Sequence, residues 1–108
     1  MIHAKLAAGR WFELTLLEQL GNIGSEVSRA IRWRGRDEKL FMGAIERTLE
    51  LFDLTLSDPR WRGRRKEIAR AREVLCDIVF GPNSHSTTLE DLDRYFTHFA
   101  IAARNKTT

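Results

Sequence analysis

The apolar residues of this chain recur at spacings of three and four along four separate stretches, which is the period of an amphipathic α-helix. No stretch alternates apolar and polar residues with the period of a β-strand. Both prolines, Pro59 and Pro82, lie at breaks between the periodic stretches. The sequence therefore predicts an all-α protein, and the short connections between its helices favour an antiparallel four-helix bundle.

Local sequence signals place the helix starts. We expect helices at about residues 15–33, 37–56, 59–80 and 87–104 of a single domain over residues 1–108. Thr15 and Glu18 have the Thr-x-x-Glu spacing of a capping box, and Thr87 with Glu90 repeats it. Asp37 is placed to cap the second helix, because its carboxylate can accept hydrogen bonds from free backbone N–H groups.

The third helix has signals at both ends. Asp58 precedes Pro59, and this pair suits the cap and the first turn of a helix. Gly81 and Pro82 end the periodic stretch. Glycine accepts the left-handed conformation that is common after a helix, and proline stops further extension.

The first two helices carry patterns that predict close packing. Gly21 and Gly24 lie inside the first helix, each at a cost of about 1 kcal/mol relative to alanine. Such glycines indicate a close contact with another helix or with another subunit. The second helix has an apolar stripe broad enough for burial on two sides, as in a central bundle helix or an oligomer. Excess apolar surface on these two helices predicts a homo-oligomer.

Composition excludes several protein classes. The 108 residues suffice for one domain, and 43% hydrophobic with 31% charged residues is a globular balance. The single cysteine, Cys76, excludes an intrachain disulfide and favours a reducing compartment. No run approaches the ~20 apolar residues of a membrane span, and the first residues lack a secretory signal. We therefore expect a cytoplasmic protein with no membrane partner.

The pentapeptide Arg-Trp-Arg-Gly-Arg occurs twice, at Arg32–Arg36 (segment 1) and at Arg60–Arg64 (segment 2). Indole rings offer stacking faces for bases, and the guanidinium fork matches phosphates and carboxylates. The candidate contacts for an anion or a nucleic acid are Arg32, Trp33, Arg34, Arg36, Arg60, Trp61, Arg62, Arg64 and Arg65. In an up-down bundle the two segments lie at opposite ends, because they follow the first and the second helix.

The two segments belong to basic clusters at opposite ends of their helices. Segment 1 follows the first helix, where the helix dipole favours cations by about 0.3–1 kcal/mol each. Segment 2 and the cations after it lie near the start of the third helix, where the dipole disfavours cations. Two explanations stay open. Either Arg65 and Arg72 pair with the acidic face of the second helix (Glu46, Glu50 and Asp53), or the cluster binds an external anion.

A catalytic site is hard to assemble from this sequence. His3, His85 and His98 are far apart, and none has a cysteine or carboxylate at metal-ligand spacing. Cys76 lies inside a helix, where a packed, unreactive thiol is the ordinary interpretation. We therefore expect no catalytic residue, no bound metal, no cofactor and no enzymatic activity.

A family resemblance is carried by five segments, Gly9–Trp11, Glu18–Val27, Glu50–Thr55, Arg72–Leu75 and Tyr95–Arg104. They are similar to a family of small, uncharacterised prokaryotic helical proteins, and the likeness covers nearly the whole chain. The resemblance implies a stand-alone helical bundle and implies no particular activity.

Together these patterns predict a non-enzymatic, oligomeric helical-bundle protein that acts as an interaction or accessory module. In this interpretation the arginine-tryptophan segments face an anionic partner, such as an acidic protein. The alternative is a small basic protein that binds RNA or single-stranded DNA directly at those segments.

Overall fold

The fold is all-helical across the described part of the chain. The computed structural model describes residues 9–84 and 86–107, and no strand occurs among them. In chain order the elements are α1 (Leu16–Trp33), α2 (Glu38–Ser57), a 3-10 helix (Pro59–Arg64), α3 (Arg65–Phe80) and α4 (Leu89–Thr107). Residues 9–11 are helical as well. Two of the histidines considered above, His3 and His85, lie outside the described residues.

Short-range hydrogen bonds start α1 and α2 where the sequence predicts. Thr15 Oγ1 accepts from the backbone N–H of Glu18 at 3.2 Å, and the Glu18 carboxylate accepts from the Thr15 N–H at 2.9 Å. These reciprocal bonds confirm the predicted capping box. Asp37 accepts from the Leu40 N–H at 3.0 Å and caps α2.

The start of α4 differs by one residue from the prediction. Thr88 Oγ1 accepts from the N–H of Asp91 at 3.1 Å, and Asp91 accepts from the Thr88 N–H at 3.0 Å. The predicted box of Thr87 and Glu90 is therefore wrong, because the same reciprocal pattern is available one residue later. This register buries Leu89 at the first helical position.

The helix predicted over residues 59–80 is divided in two. Asp58 accepts from the backbone N–H of Arg60 at 3.0 Å and starts a 3-10 helix. Trp61 then adopts φ −103° and ψ 23°, which are not helical values, and α3 begins only at Arg65. Gly81 ends α3 with φ −106° and ψ −168°, so it is extended and lacks the predicted left-handed conformation.

α1 is the central helix, with extensive contacts to both α4 and α2. Its buried residues are Leu16, Gln19, Leu20, Gly21, Ile23, Gly24, Val27 and Ala30. Gly24 lies so close to α4 that a Cβ built on it falls 2.5 Å from Phe96 Cβ. Phe96 also meets Phe52 of α2 edge to face, with ring centroids 5.8 Å apart. The close contact predicted from Gly24 is thus with another helix of the same chain.

α3 is the least covered of the four α-helices. Only Ile68 and Leu75 are buried among its 16 residues, and its contacts with α2 and α4 are sparse. An ion pair joins it to α2, with Arg72 Nε 2.9 Å from Asp53 Oδ1. This pair was one of those predicted from the sequence. None of the described helices is both long enough and apolar enough to cross a membrane.

Candidate binding surfaces around the arginine-tryptophan segments

Segment 2 lies over a buried polar network near the start of α1. The indole N–H of Trp11 donates to Thr55 Oγ1 at 3.0 Å, and both residues are buried. The fully buried Gln19 donates from Nε2 to the Trp11 carbonyl at 2.8 Å and to Asp58 Oδ2 at 3.2 Å. Gln19 Oε1 accepts from the indole N–H of Trp61 at 2.8 Å. Gln19 therefore connects the 3-10 helix to α1.

Asp58 is the charged residue of this network and is only 1% exposed. Its Oδ2 lies 2.7 Å from Nη2 of Arg60, and the same guanidinium nitrogen donates to the Leu14 carbonyl at 2.7 Å. The hydrogen bond from Arg60 lowers the pKa of Asp58 from 3.8 to about 2, although desolvation acts in the opposite direction. The Arg60 guanidinium also lies over the Trp61 ring, 4.4 Å from its centroid. Intramolecular contacts thus hold both Arg60 and Trp61.

The other cations at segment 2 differ in their partners. Arg64 Nε lies 3.1 Å from Glu67 Oε2, and its hydrogen bond lowers the pKa of Glu67. Arg65 donates to the Leu56 carbonyl at 3.0 Å, so its predicted pairing with the acidic face of α2 is wrong. The Arg62 side chain is exposed and makes no hydrogen bond or ion pair within residues 9–84 and 86–107. Arg62 is therefore the segment 2 cation most available to an external anion.

Segment 1 forms the exposed end of α1 and the turn after it. Gly35 has φ +77°, a left-handed conformation, and the next N–H, of Arg36, donates to the Trp33 carbonyl at 2.9 Å. Arg34 pairs with Glu90 of α4; this hydrogen bond raises the pKa of Arg34 and lowers that of Glu90. Arg32 and Arg36 are exposed and unpaired in the described part of the chain, and Trp33 is half-buried.

The two segments are separate on the molecule. Trp33 ends α1, whereas Trp61 of segment 2 contacts Gln19 near the start of the same helix. The stretch of α1 between Gln19 and Trp33 is about 21 Å long at about 1.5 Å per residue. A single chain therefore presents the candidate residues as two surfaces, with Arg32, Trp33, Arg34 and Arg36 on one and Arg60, Trp61, Arg62, Arg64 and Arg65 on the other.

Sequence reasoning missed the buried network. Gln19 follows Leu16 by three residues and precedes Ile23 by four, so it lies on the apolar stripe of α1. A polar side chain at such a position is the signal that was available, because buried polar groups need hydrogen-bond partners. The partners themselves, Asp58 and Trp61, lie 39 and 42 residues further along the chain and cannot be identified from local spacing.

An open groove lies between α3 and α4. Its volume is about 320 Å³, and it is lined by Glu67, Arg70, Ala71, Val74, Thr87, Asp91, Leu92 and Tyr95. Tyr95 is 37% exposed and donates its hydroxyl to Glu67 at 3.3 Å. Burial, followed by the nearby Glu67 carboxylate, raises the pKa of Tyr95. Apolar surface thus remains open along one side of α3.

The remaining reactive groups are scattered. The described residues include no cluster of three or more His, Cys, Asp or Glu side chains placed to hold a metal ion. Cys76 is half-buried, with its Sγ 3.9 Å from Nη1 of Arg72. His98 is exposed on α4.

Comparison with known proteins gives no assignment, because no protein-family profile, curated protein or solved structure matches the chain. The resemblance to small prokaryotic helical proteins stays a prediction.

Proposed function

We propose that this chain is a non-enzymatic interaction or accessory module, an antiparallel four-helix bundle that forms homo-oligomers in the cytoplasm. The observation that carries the proposal is the poor coverage of α3. Only Ile68 and Leu75 of this helix are buried, and Phe80 at its end is 59% exposed. A helix of this length needs a partner surface for its apolar side chains, because packing supplies most of the stability of short helices in proteins.

The open seam between α3 and α4 supports the same proposal. Ala71, Val74 and Leu92 contribute apolar surface to its groove, and Ile78 and Val79 continue along α3 as half-buried residues. Each apolar Å² that a partner removes from water is worth roughly 25 cal/mol. The sequence predicts excess apolar surface on the first two helices; among the described residues α1 has no exposed large hydrophobic side chain, whereas Leu40 on α2 is 43% exposed and Phe80 on α3 is 59% exposed. The proposal therefore assigns association to α3.

Sedimentation velocity or light scattering over a wide range of protein concentrations tests this function. We expect a mass that is a multiple of the 12.5 kDa chain mass at high concentration. A mass of one chain at every concentration would overturn the proposal.

A second candidate function is the binding of RNA or single-stranded DNA. The observation that favours it is the set of exposed arginines without partners among the described residues, which includes Arg32 and Arg36 in segment 1 and Arg62 in segment 2. Such cations can contact phosphates and release counterions. Arg60 is paired with Asp58, and the Trp61 ring carries the Arg60 guanidinium, so this candidate relies mainly on segment 1.

Titration of single-stranded oligonucleotides, monitored by tryptophan fluorescence at two salt concentrations, tests the second candidate. We expect quenching with an affinity that falls steeply at higher salt. The double change Arg32→Ala with Arg36→Ala should abolish it, while Arg29→Ala serves as a matched control because Arg29 is paired with Glu26. The absence of any response at low salt would reject this function.

A further inference from the structure

The open groove between α3 and α4 (the α3–α4 groove) lies between two helices that run in opposite directions. At one end the Tyr95 hydroxyl of α4 donates to Glu67 of α3 at 3.3 Å. Beyond the other end, Ile78 of α3 lines the same depression as Leu89 of α4. Residue numbers therefore rise along α3 in the direction in which they fall along α4.

The floor of the α3–α4 groove is apolar. Ala71, Val74 and Leu92 contribute to it, and both Ala71 and Val74 are only half-buried. Removing such apolar surface from water favours association with any partner that fits. The choice among partners therefore depends on the charged residues beside this floor.

Charged residues of both signs form the two rims of the α3–α4 groove. On the α3 rim Glu67 pairs with Arg64, whereas Arg70 is exposed and makes no ion pair within the described residues. On the α4 rim Asp91 pairs with Arg94, which is exposed beside it. Each rim thus carries one anion and one cation that can contact a partner.

The two rims have opposite charges at the same levels along the α3–α4 groove. The bond between Tyr95 and Glu67 marks one level. At about 1.5 Å per residue, Arg70 lies about 4.5 Å from that level and Asp91 lies about 6 Å from it in the same direction. Arg94 lies only about 1.5 Å from the level of Glu67. The α3 rim therefore has an anion followed by a cation, and the α4 rim has a cation followed by an anion.

We propose that two copies of this chain pair through the α3–α4 groove, about a two-fold axis that runs parallel to the groove. This axis places the α3 rim of each subunit on the α4 rim of the other and leaves every residue at its own level. Arg70 of each subunit then faces Asp91 of the other, and Glu67 faces Arg94. The two-fold axis makes each of these opposite pairs twice. This inference rests on the proposed homo-oligomeric function and names the interface for it.

The rim charges also select the direction of the two-fold axis. An axis across the α3–α4 groove would set α3 against α3 and α4 against α4, with their directions reversed. At the centre of the groove Arg70 would then lie beside the second Arg70, and Asp91 beside the second Asp91. Like charges would meet on both rims, which disfavours that arrangement.

The neighbouring charges do not oppose the parallel axis. At about 1.5 Å per residue, Arg64 and Glu73 fall at the levels of His98 and Leu89. Neither therefore lies opposite a Lys, Arg, Asp or Glu of its own sign. Lys66 does not line the α3–α4 groove and lies beside a separate depression on the outer side of α3.

Charge complementarity selects a second copy as the occupant. A nucleic acid in the α3–α4 groove would bring its phosphates against the carboxylates of Glu67 and Asp91. A ligand with a single charge would meet its own sign on one of the rims. A second copy has both signs in the required order, because the α4 rim of one subunit matches the α3 rim of the other by symmetry.

Two alanines of α3 provide matched variants for the floor of the α3–α4 groove. Ala71 lines this groove and Ala69 lines the outer depression, and both are half-buried. We expect Ala71→Glu to weaken dimerisation by about tenfold or more, because the interface would then desolvate an unpaired carboxylate in each subunit. Ala69→Glu adds the same charge to the same helix and should associate as the wild type does.

Charge reversal tests the register of the rims. We expect Arg70→Glu and Asp91→Arg, each made alone, to weaken dimerisation by about tenfold or more, because each creates two pairs of like charges across the interface. A mixture of the two single variants should form a heterodimer with about the wild-type dissociation constant. In that heterodimer every pair of facing rim charges is again opposite in sign.

Sedimentation velocity measures all samples, and circular dichroism checks that each variant remains helical. Asp91 also caps α4, so if Asp91→Arg loses helicity, Arg70→Glu and the two alanine variants decide the outcome. If the wild-type chain associates, and Arg70→Glu and Ala71→Glu associate equally well, the inference is overturned while the proposed function stands. A helical mixture that forms no heterodimer overturns the register. If the wild-type chain is a monomer at every concentration, the inference and the proposed function are both overturned.

Discussion

Segments 1 and 2 have the same five residues and adopt different structures. In segment 1 the glycine, Gly35, has φ +77° and lies in the turn that follows α1. In segment 2 the backbone forms a 3-10 helix, and Gly63 lies outside the left-handed region. The first segment follows a long helix, whereas the second follows the cap and proline of Asp58-Pro59. Flanking residues, and not the pentapeptide, therefore determine the conformation.

The two segments also use their cations in complementary ways. Segment 1 pairs only its middle arginine, Arg34, with Glu90. Segment 2 pairs the two outer arginines, Arg60 and Arg64, and leaves Arg62 without a partner among the described residues. The same pentapeptide is therefore held mainly by intramolecular contacts in segment 2 and presents mainly exposed cations in segment 1.

The largest difference between the segments should appear when each loses its acidic partner. Asp58→Ala removes a buried carboxylate that pairs with Arg60 and accepts from Gln19, so we expect a loss of about 2–3 kcal/mol in the free energy of unfolding. Glu90→Ala removes a half-exposed partner of Arg34 and should change stability far less, because water screens exposed ion pairs. Urea denaturation of the two variants measures both; equal losses would contradict the contrast.

The contribution of Asp58 to the free energy of unfolding should depend on pH. Asp58 has a pKa of about 2 in the folded protein instead of 3.8. Its contribution to the free energy of unfolding is therefore complete above pH 3.8. That contribution is lost as the pH falls through the folded value. The difference in unfolding free energy between the wild type and Asp58→Asn should thus shrink by about 2 kcal/mol toward pH 2. Urea titrations at a series of pH values test this, and a constant difference would contradict it.

Replacing the tryptophan of each segment should give a smaller difference in stability. Trp61→Phe leaves the buried Oε1 of Gln19 without its donor, which should cost about 1–2 kcal/mol. Trp33→Phe removes a half-buried indole that makes no hydrogen bond within the described residues, and should cost less than about 1 kcal/mol. Thermal unfolding followed by circular dichroism compares them. A larger loss of stability for Trp33→Phe than for Trp61→Phe would contradict this expectation.

The smallest expected effects separate the two glycines. Gly35→Ala forces a Cβ into the left-handed region and should cost about 1 kcal/mol. Gly63→Ala meets nothing within 4 Å and needs no left-handed conformation, so it should be neutral or stabilising by about 0.5 kcal/mol. Urea denaturation midpoints measure the stability of both variants. Equal shifts would contradict the difference in backbone conformation between the two glycines.

The sequence predicts those features of the fold that depend on near neighbours. The caps of α1 and α2 follow from bonds between residues three apart, such as Thr15 with Glu18. The ion pair of Arg72 with Asp53 also follows, because it needs only two adjacent helices with complementary faces. The helical class follows from local periodicity as well, whereas for Gly24 the sequence predicts a close contact but not its partner, Phe96.

The features that the sequence does not predict depend on distant partners. The break at Trp61 is fixed by a hydrogen bond to Gln19, 42 residues away, so the stretch from Pro59 was predicted as one continuous helix. The arrangement of the candidate site also depends on partners that local spacing does not reveal. Arg60 and Trp61 have the composition of a binding surface, but the buried carboxylate of Asp58 holds the exposed Arg60 guanidinium, and the buried Gln19 accepts from the half-buried Trp61 indole.

The contact of Gly24 with Phe96 has a consequence for the order of folding. It joins the first α-helix to the last, so more than two thirds of the described chain forms the loop that this contact closes. Contacts of such sequence separation slow folding, because loop closure precedes the stabilising contact. During synthesis α1 emerges long before α4, and its apolar side facing Phe96 stays uncovered until the last helix arrives. We therefore expect α1 and α2, which are close in sequence and in extensive contact, to associate before α4 packs on α1.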